Sequence, residues 1–81
     1  MKINGKEVVG KSFAFDGCHK IYVCESDEEV QAAQNGGYTT YPIDELEDAW
    51  EWSCGLRFIS NWKLDKTYVA QFEDAVFTEG V

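Results

Sequence analysis

The chain has 81 residues, of which 44% are hydrophobic and 15% aromatic: the length of one small domain, and too apolar for a disordered segment. Fifteen acidic residues against seven basic ones give a net charge of −8, a field that repels DNA, RNA and anionic membranes and attracts basic protein surfaces. No apolar run approaches the length of a membrane span, and MKINGKEVVGK lacks the apolar core of a signal peptide, so the cytoplasm is the expected compartment.

In chain order, Asn4-Gly5 predicts a two-residue hairpin. Phe13 and Phe15 then share one face of a strand, and Asp16-Gly17 marks a second turn. The β-branched and aromatic run KIYVCE predicts a strand over residues 20–25. Ser26 and Glu29 form a capping box that opens a helix over residues 27–35, with Gly36 as its C′ residue. YTTYPI reads as a short strand or extended connection, because Tyr41 precedes Pro42 and is biased away from helix. A second helix is expected from Asp44 to Gly55, with Leu46, Trp50 and Cys54 four apart on one face. LRFISNW reads equally as strand or loop. A last helix is expected from Asp65 to Phe77, with Val69, Phe72 and Val76 as its apolar stripe. Strands first and helices later predict an α+β fold: a small antiparallel sheet of three to four strands packed with two to three short helices, forming a single domain over residues 1–81.

The stretch DGCHKIYVC, residues 16–24, holds two of the three cysteines and the only histidine. In a reducing compartment such cysteines read as thiols or metal ligands before disulfides. If residues 20–24 are extended, Cys18 and Cys24 lie nearly ~20 Å apart. Two thiolates on one zinc ion are only about 4 Å apart, so either the strand expectation fails or Cys24 is not on the same metal as Cys18; the strand is the preferred reading. Cys24 then becomes a core or sheet-face thiol. Cys18 and His19 sit at a turn, where adjacent side chains can converge, and Cys54 closes a helix. The metal reading is therefore a zinc ion held by Cys18, His19 and Cys54, with Asp16 as fourth ligand and Cys24 as its substitute. Against it stands the plainer reading of Cys18 and Cys54 as small apolar fillers beside a half-exposed histidine. A Cys18–His19 nucleophile pair has no third orienting group, and its acidic surroundings raise a thiol pKa rather than lower it. No phosphate loop or dinucleotide fingerprint is present, and no enzymatic activity is expected.

Charge is unevenly spread. Residues 21–56 contain no Lys, Arg or His, but do contain Glu25, Asp27, Glu28, Glu29, Asp44, Glu45, Glu47, Asp48 and Glu51. These are the expected partner-binding residues, facing a basic protein surface. Trp52 joins them, because it lies about 200° around a helix from the core-facing Trp50. An exposed Trp amid acids suits a protein interface.

The stretches FDGCHKIYVCESDEE and SCGLRFISNWKLDKTYVAQFEDAVF resemble the small acidic proteins carried by phages and mobile elements of Gram-positive bacteria. More narrowly, the chain resembles anti-CRISPR proteins directed at the type II RNA-guided nuclease, in particular a zinc-containing member of that group. The resemblance covers about half the chain and implies a binding inhibitor, with no catalysis, acting in the host cytoplasm on a nuclease whose nucleic-acid-binding lobes are basic. The alternative expectation is a small zinc-binding phage or bacterial accessory domain that binds another protein.

Overall fold

The computed structural model describes residues 1–52, 56–63, 67–71 and 75–78. The fold is α+β. Strands β1 (Lys2–Ile3) and β2 (Lys6–Glu7) form the hairpin expected from Asn4-Gly5. Asn4 and Gly5 have φ of 53° and 80°, as a type I′ turn requires at both central positions. Strands β3 (Ser12–Phe15), β4 (Lys20–Cys24), β5 (Thr39–Pro42), β6 (Arg57–Asn61) and β7 (Thr67–Gln71) make a five-stranded sheet in the order β5-β3-β4-β6-β7. Strand β8 (Phe77–Thr78) pairs with β1 and completes a second sheet, β2-β1-β8. Every described pairing is antiparallel except β4 with β6, which is parallel. The sheet system is thus larger than the three to four strands expected.

Alternation along the strands sends side chains to two layers. Phe13, Ile21, Val23 and Ile59 face the main core, which also holds Ile3, Val8, Val69 and the buried face of helix α2 (Leu46–Trp50). Ala14, Cys24 and Ala33 form a smaller core under helix α1 (Asp27–Asn35), rimmed by Tyr22, Val30, Tyr38 and Trp62. The five-stranded sheet therefore lies between α1 on one face and α2 with the small sheet on the other.

Helix α1 is set by its own termini. Ser26 Oγ accepts from Glu29 N at 3.3 Å, while Glu29 Oε1 reaches back to the Glu25 amide at 2.8 Å, one residue before the usual partner. At the other end Gly36 is the C-cap with φ −83°, and Gly37 takes the left-handed position at φ 93°. The glycine that ends the helix by conformation is thus Gly37 rather than Gly36.

The second helix is shorter than its periodicity implies. A 3₁₀ turn, Ile43–Glu45, leads into α2, which ends at Trp50, with Glu51 and Trp52 in the following turn. Leu46 and Trp50 are both buried, as their spacing requires. Cys54 and Gly55, expected to close this helix, lie outside the described residues.

The expected last helix is absent from the described part of its span. Residues 67–71 are β7 and residues 77–78 are β8. Asp65 and Phe72 lie outside the described residues, and Val76 is 61% exposed rather than part of a buried stripe. Thr-Tyr-Val is β-branched and aromatic, and its pairing with β6 outweighs a three- and four-residue apolar spacing that exists only on paper. A bulge at Ile59/Ser60 lets adjacent Tyr68 and Val69 both become buried.

Gly10 packs against β4 where a side chain has no room: a Cβ there would collide with Val23 Cγ1 and lie 3.2 Å from the Cys24 carbonyl. Gly10→Ala is expected to cost about 1–3 kcal/mol through overpacking, read as a lower urea midpoint at unchanged slope. An unchanged midpoint would contradict this packing.

Candidate functional site

The turn between β3 and β4 is organised by Asp16. Its Oδ1 accepts from the amides of Cys18, His19 and Lys20 at 2.8, 3.0 and 3.0 Å, and the Asp16 amide donates to the Lys20 carbonyl at 3.1 Å. This cradle folds the loop so that exposed Cys18 and half-buried His19 point the same way. Their Sγ and Nδ1 atoms are 3.1 Å apart. A sulfur and a nitrogen on one tetrahedral zinc are about 3.5 Å apart, so the pair has the reach of a chelate. Asp16, the expected fourth ligand, already commits Oδ1 to three backbone donors. Cys54 lies outside the described residues. Among the described residues no three His, Cys, Asp or Glu side chains converge as a metal-holding group.

Cys24 is fully buried on β4 beneath α1, on the sheet as the extended reading of residues 20–24 required. Burial first, and the nearby Glu29 carboxylate second, push its thiol up from 9.0 to about 11. Such a thiol is not nucleophilic at neutral pH.

The acidic window of the sequence becomes two separate surfaces, because α1 and α2 occupy opposite faces of the five-stranded sheet. On the α1 side most carboxylates have structural partners. Asp27 pairs with exposed Lys11 at 2.9 Å, Glu25 accepts from the buried Asn61 side chain at 2.6 Å, and Glu29 caps the helix. Glu28 is exposed. On the α2 side Asp44, Glu47, Asp48 and Glu51 are exposed and Glu45 is half-buried. Among the described residues the ion pairs are Lys11–Asp27 and the Met1 amine with Glu7, so no cation pairs with these five.

Trp52 follows α2 and is 45% exposed. Its ring meets Tyr41 edge-on at 5.0 Å and Phe15 at 6.2 Å, and Tyr41 in turn stacks on Phe13 at 5.4 Å. The exposed indole is thus held from behind by a row of rings. Trp62 is different: half-buried, it closes a mutually edge-on triad with Tyr22 and Tyr38. Neither this triad nor the Asn61–Glu25 bond was anticipated, and a contact spanning 36 residues leaves no local pattern to read.

The chain matches no protein-family model, no curated protein and no solved structure. No described helix is long and apolar enough to cross a membrane.

The Cys24 shift carries a signed pH dependence. The unfolded thiol ionises near 9.0 and the folded one only near 11, so the folded state holds its proton longer. This contribution is fully present below pH 9 and is lost between pH 9 and 11. Relative to Cys24→Ala, which lacks it, the native chain is expected to lose stability across that window, measured by urea unfolding at each pH. In the folded protein at pH 8, iodoacetamide should label Cys18 and spare Cys24, read by peptide mass.

Proposed function

We propose that this chain is a non-enzymatic binding protein that docks on a basic protein surface through the α2 side, with Trp52 as anchor and Asp44, Glu47, Asp48 and Glu51 as its rim. The observation that carries this reading is Trp52 itself: exposed, backed by Tyr41 and Phe15, and following in the chain an α2 segment whose exposed carboxylates no described cation pairs with. A buried aromatic anchor inside a charged rim is the arrangement that concentrates binding energy in protein interfaces. The resemblance noted for the sequence directs the first test: a phage-encoded inhibitor that occupies a basic surface of the type II CRISPR nuclease and blocks nucleic-acid loading or cleavage. The α1 carboxylates Glu25, Asp27 and Glu29 have structural work, which leaves Glu28 as the α1 residue best placed to add to the contact.

The test is DNA cleavage by type II RNA-guided nucleases in the presence of the chain, at several salt concentrations. Trp52→Ala is expected to raise the inhibitory concentration at least about tenfold, as for an interface anchor. Reversal of Glu47, Asp48 and Glu51 together should slow association and flatten the salt dependence, whereas Glu28→Lys alone should change little. Unimpaired cleavage at large excess across several such nucleases removes the inhibitor reading. Equal potency of the reversed and Trp52 variants moves the contact elsewhere.

A second reading, a zinc-binding accessory domain, is favoured by the 3.1 Å approach of Cys18 and His19. It requires Cys54 to complete the ligand set. Protein purified without chelator is then expected to carry near-stoichiometric zinc by elemental analysis. Cys18→Ser or Cys54→Ser should lose the metal and Cys24→Ser should keep it, with thermal stability falling on zinc removal. Zinc-free protein ends this reading.

A further inference from the structure

We propose that the cleft between the β3–β4 turn and the end of α1 receives an arginine side chain of the basic partner. Its occupant rests on the binding role proposed above, whereas its preference for a guanidinium is a property of the cleft itself. The cleft has a volume of about 360 Å³, and its described walls are residues 15–17 and 36–39, from two separate parts of the chain. Both walls are turns that exclude side chains. Gly17 and Gly37 have φ of 84° and 93°, where a side chain is strained, and a Cβ on either would meet no atom within 4 Å. Asp16 locks the first turn through its three amide bonds. The amides of Gly36, Gly37 and Tyr38 lock the second by donating back to the last carbonyls of α1. The cleft is therefore preformed: the conformations that turn the chain also keep its own side chains out.

Charge selects a cation. The three amide bonds to Asp16 all fall on Oδ1, and among the described residues no donor reaches Oδ2. The opposite wall is the C-terminal, negative end of α1, whose last turn holds no basic residue. The described ion pairs, Lys11–Asp27 and the Met1 amine with Glu7, lie elsewhere, so no described cation pairs with Asp16. Chemistry then selects guanidinium over ammonium. Phe15 and Tyr38 supply aromatic rings and Thr39 a hydroxyl. The Tyr38 ring is held in place by edge contacts with Tyr22 at 5.6 Å and Trp62 at 5.3 Å. A guanidinium stacks on aromatic rings while its fork of N–H donors bonds a carboxylate, whereas an ammonium is compact and strongly hydrated. Phe15 also meets Trp52 at 6.2 Å, so the cleft adjoins the proposed anchor and one partner surface can reach both.

The probe is N-acetyl-arginine amide, titrated to about 50 mM into the full chain at low salt and followed by amide NMR shifts. One side chain alone binds weakly, so a millimolar dissociation constant is expected. Saturable shifts should cluster on Gly17 and residues 36–39. N-acetyl-citrulline amide, the neutral isostere, should give none, and N-acetyl-lysine amide should bind at least about threefold more weakly. Asp16→Asn keeps an oxygen for the three amides and removes the charge; it should weaken the arginine probe at least about fivefold. Thr39→Arg, at an exposed position, sets a cation in the wall itself and should weaken the probe without disturbing the Asp16 turn. Shifts spread over the α1 and α2 carboxylates without this cluster overturn the proposal. So does equal binding of the citrulline or lysine analogue, or undiminished binding to both variants. No nuclease enters this titration. Saturable arginine binding by a chain that inhibits no nuclease removes the inhibitor reading and supports the site; inhibition by a chain whose cleft ignores arginine removes the site alone.

Discussion

The parallel pairing of β4 with β6 is the constraint on which the rest of the fold depends. Lys20 to Val23 run beside Phe58 to Asn61, and the register is extended at both ends by the Phe58 amide donating to His19 O and the Trp62 amide to Val23 O, each at 2.9 Å. A parallel pair cannot be closed by a tight turn; it needs a long crossover. That crossover is the entire acidic segment, α1, β5, the 3₁₀ turn and α2. It must leave the end of β4 and return to the start of β6, and it does so with one helix on each face and β5 on the margin. The separation of the acids into two surfaces follows from this topology. So does the meeting of the β3–β4 turn with the start of β6, where the His19 ring lies 6.0 Å from Phe58.

The pairing is locked by a polar bond. Asn61 is 1% exposed at the end of β6; its Nδ2 donates to Glu25 Oε2 at 2.6 Å and its Oδ1 accepts from the Lys63 amide at 2.9 Å. Glu25 is the residue between β4 and the cap of α1, so one side chain ties the end of β6 to the point where the crossover begins. Hydrogen bonds to a charged partner are the stronger class, and a buried amide left without them would be costly. Glu25 is thus structural, and a high acid count does not by itself measure a binding surface.

What the sequence disclosed is what neighbours in the chain decide. The Asn4-Gly5 hairpin, the strands around Phe13 and Ile21, the Ser26 cap and α1 each rest on contacts within about four residues, and each is present. The convergence of Cys18 and His19 was legible for the same reason, since Asp16 organises that turn from two to four residues away. The failures are non-local. Val69, Phe72 and Val76 have helical spacing, but Val69 is buried by pairing with Ile59, and that partner cannot be found from β7 alone. β6 was ambiguous because its neighbour β4 lies a whole crossover away. Gly36 and Gly37 are adjacent, and only the backbone angle separates the cap from the left-handed residue. Nine acids in one window looked like a single surface because a sequence has no faces.

The two parts of the α2 surface do different physical work. Carboxylates on an exposed helix are solvated, and each contributes little once salt screens it; collectively they would raise the rate at which the proposed basic partner arrives. In the proposed binding, Trp52 would act after arrival. An exposed side chain that must be frozen on binding forfeits part of its burial energy to lost rotamers. Trp52 has already surrendered much of that freedom, because Tyr41 and Phe15 support its ring and Phe13 supports Tyr41 in turn. Phe13 is fully buried in the main core beside Val23, so the indole's position is fixed through one ring contact after another to the same sheet that β4 and β6 align. In the binding role proposed above, the charges would set how fast this face finds a partner, and the anchored ring how long the partner stays.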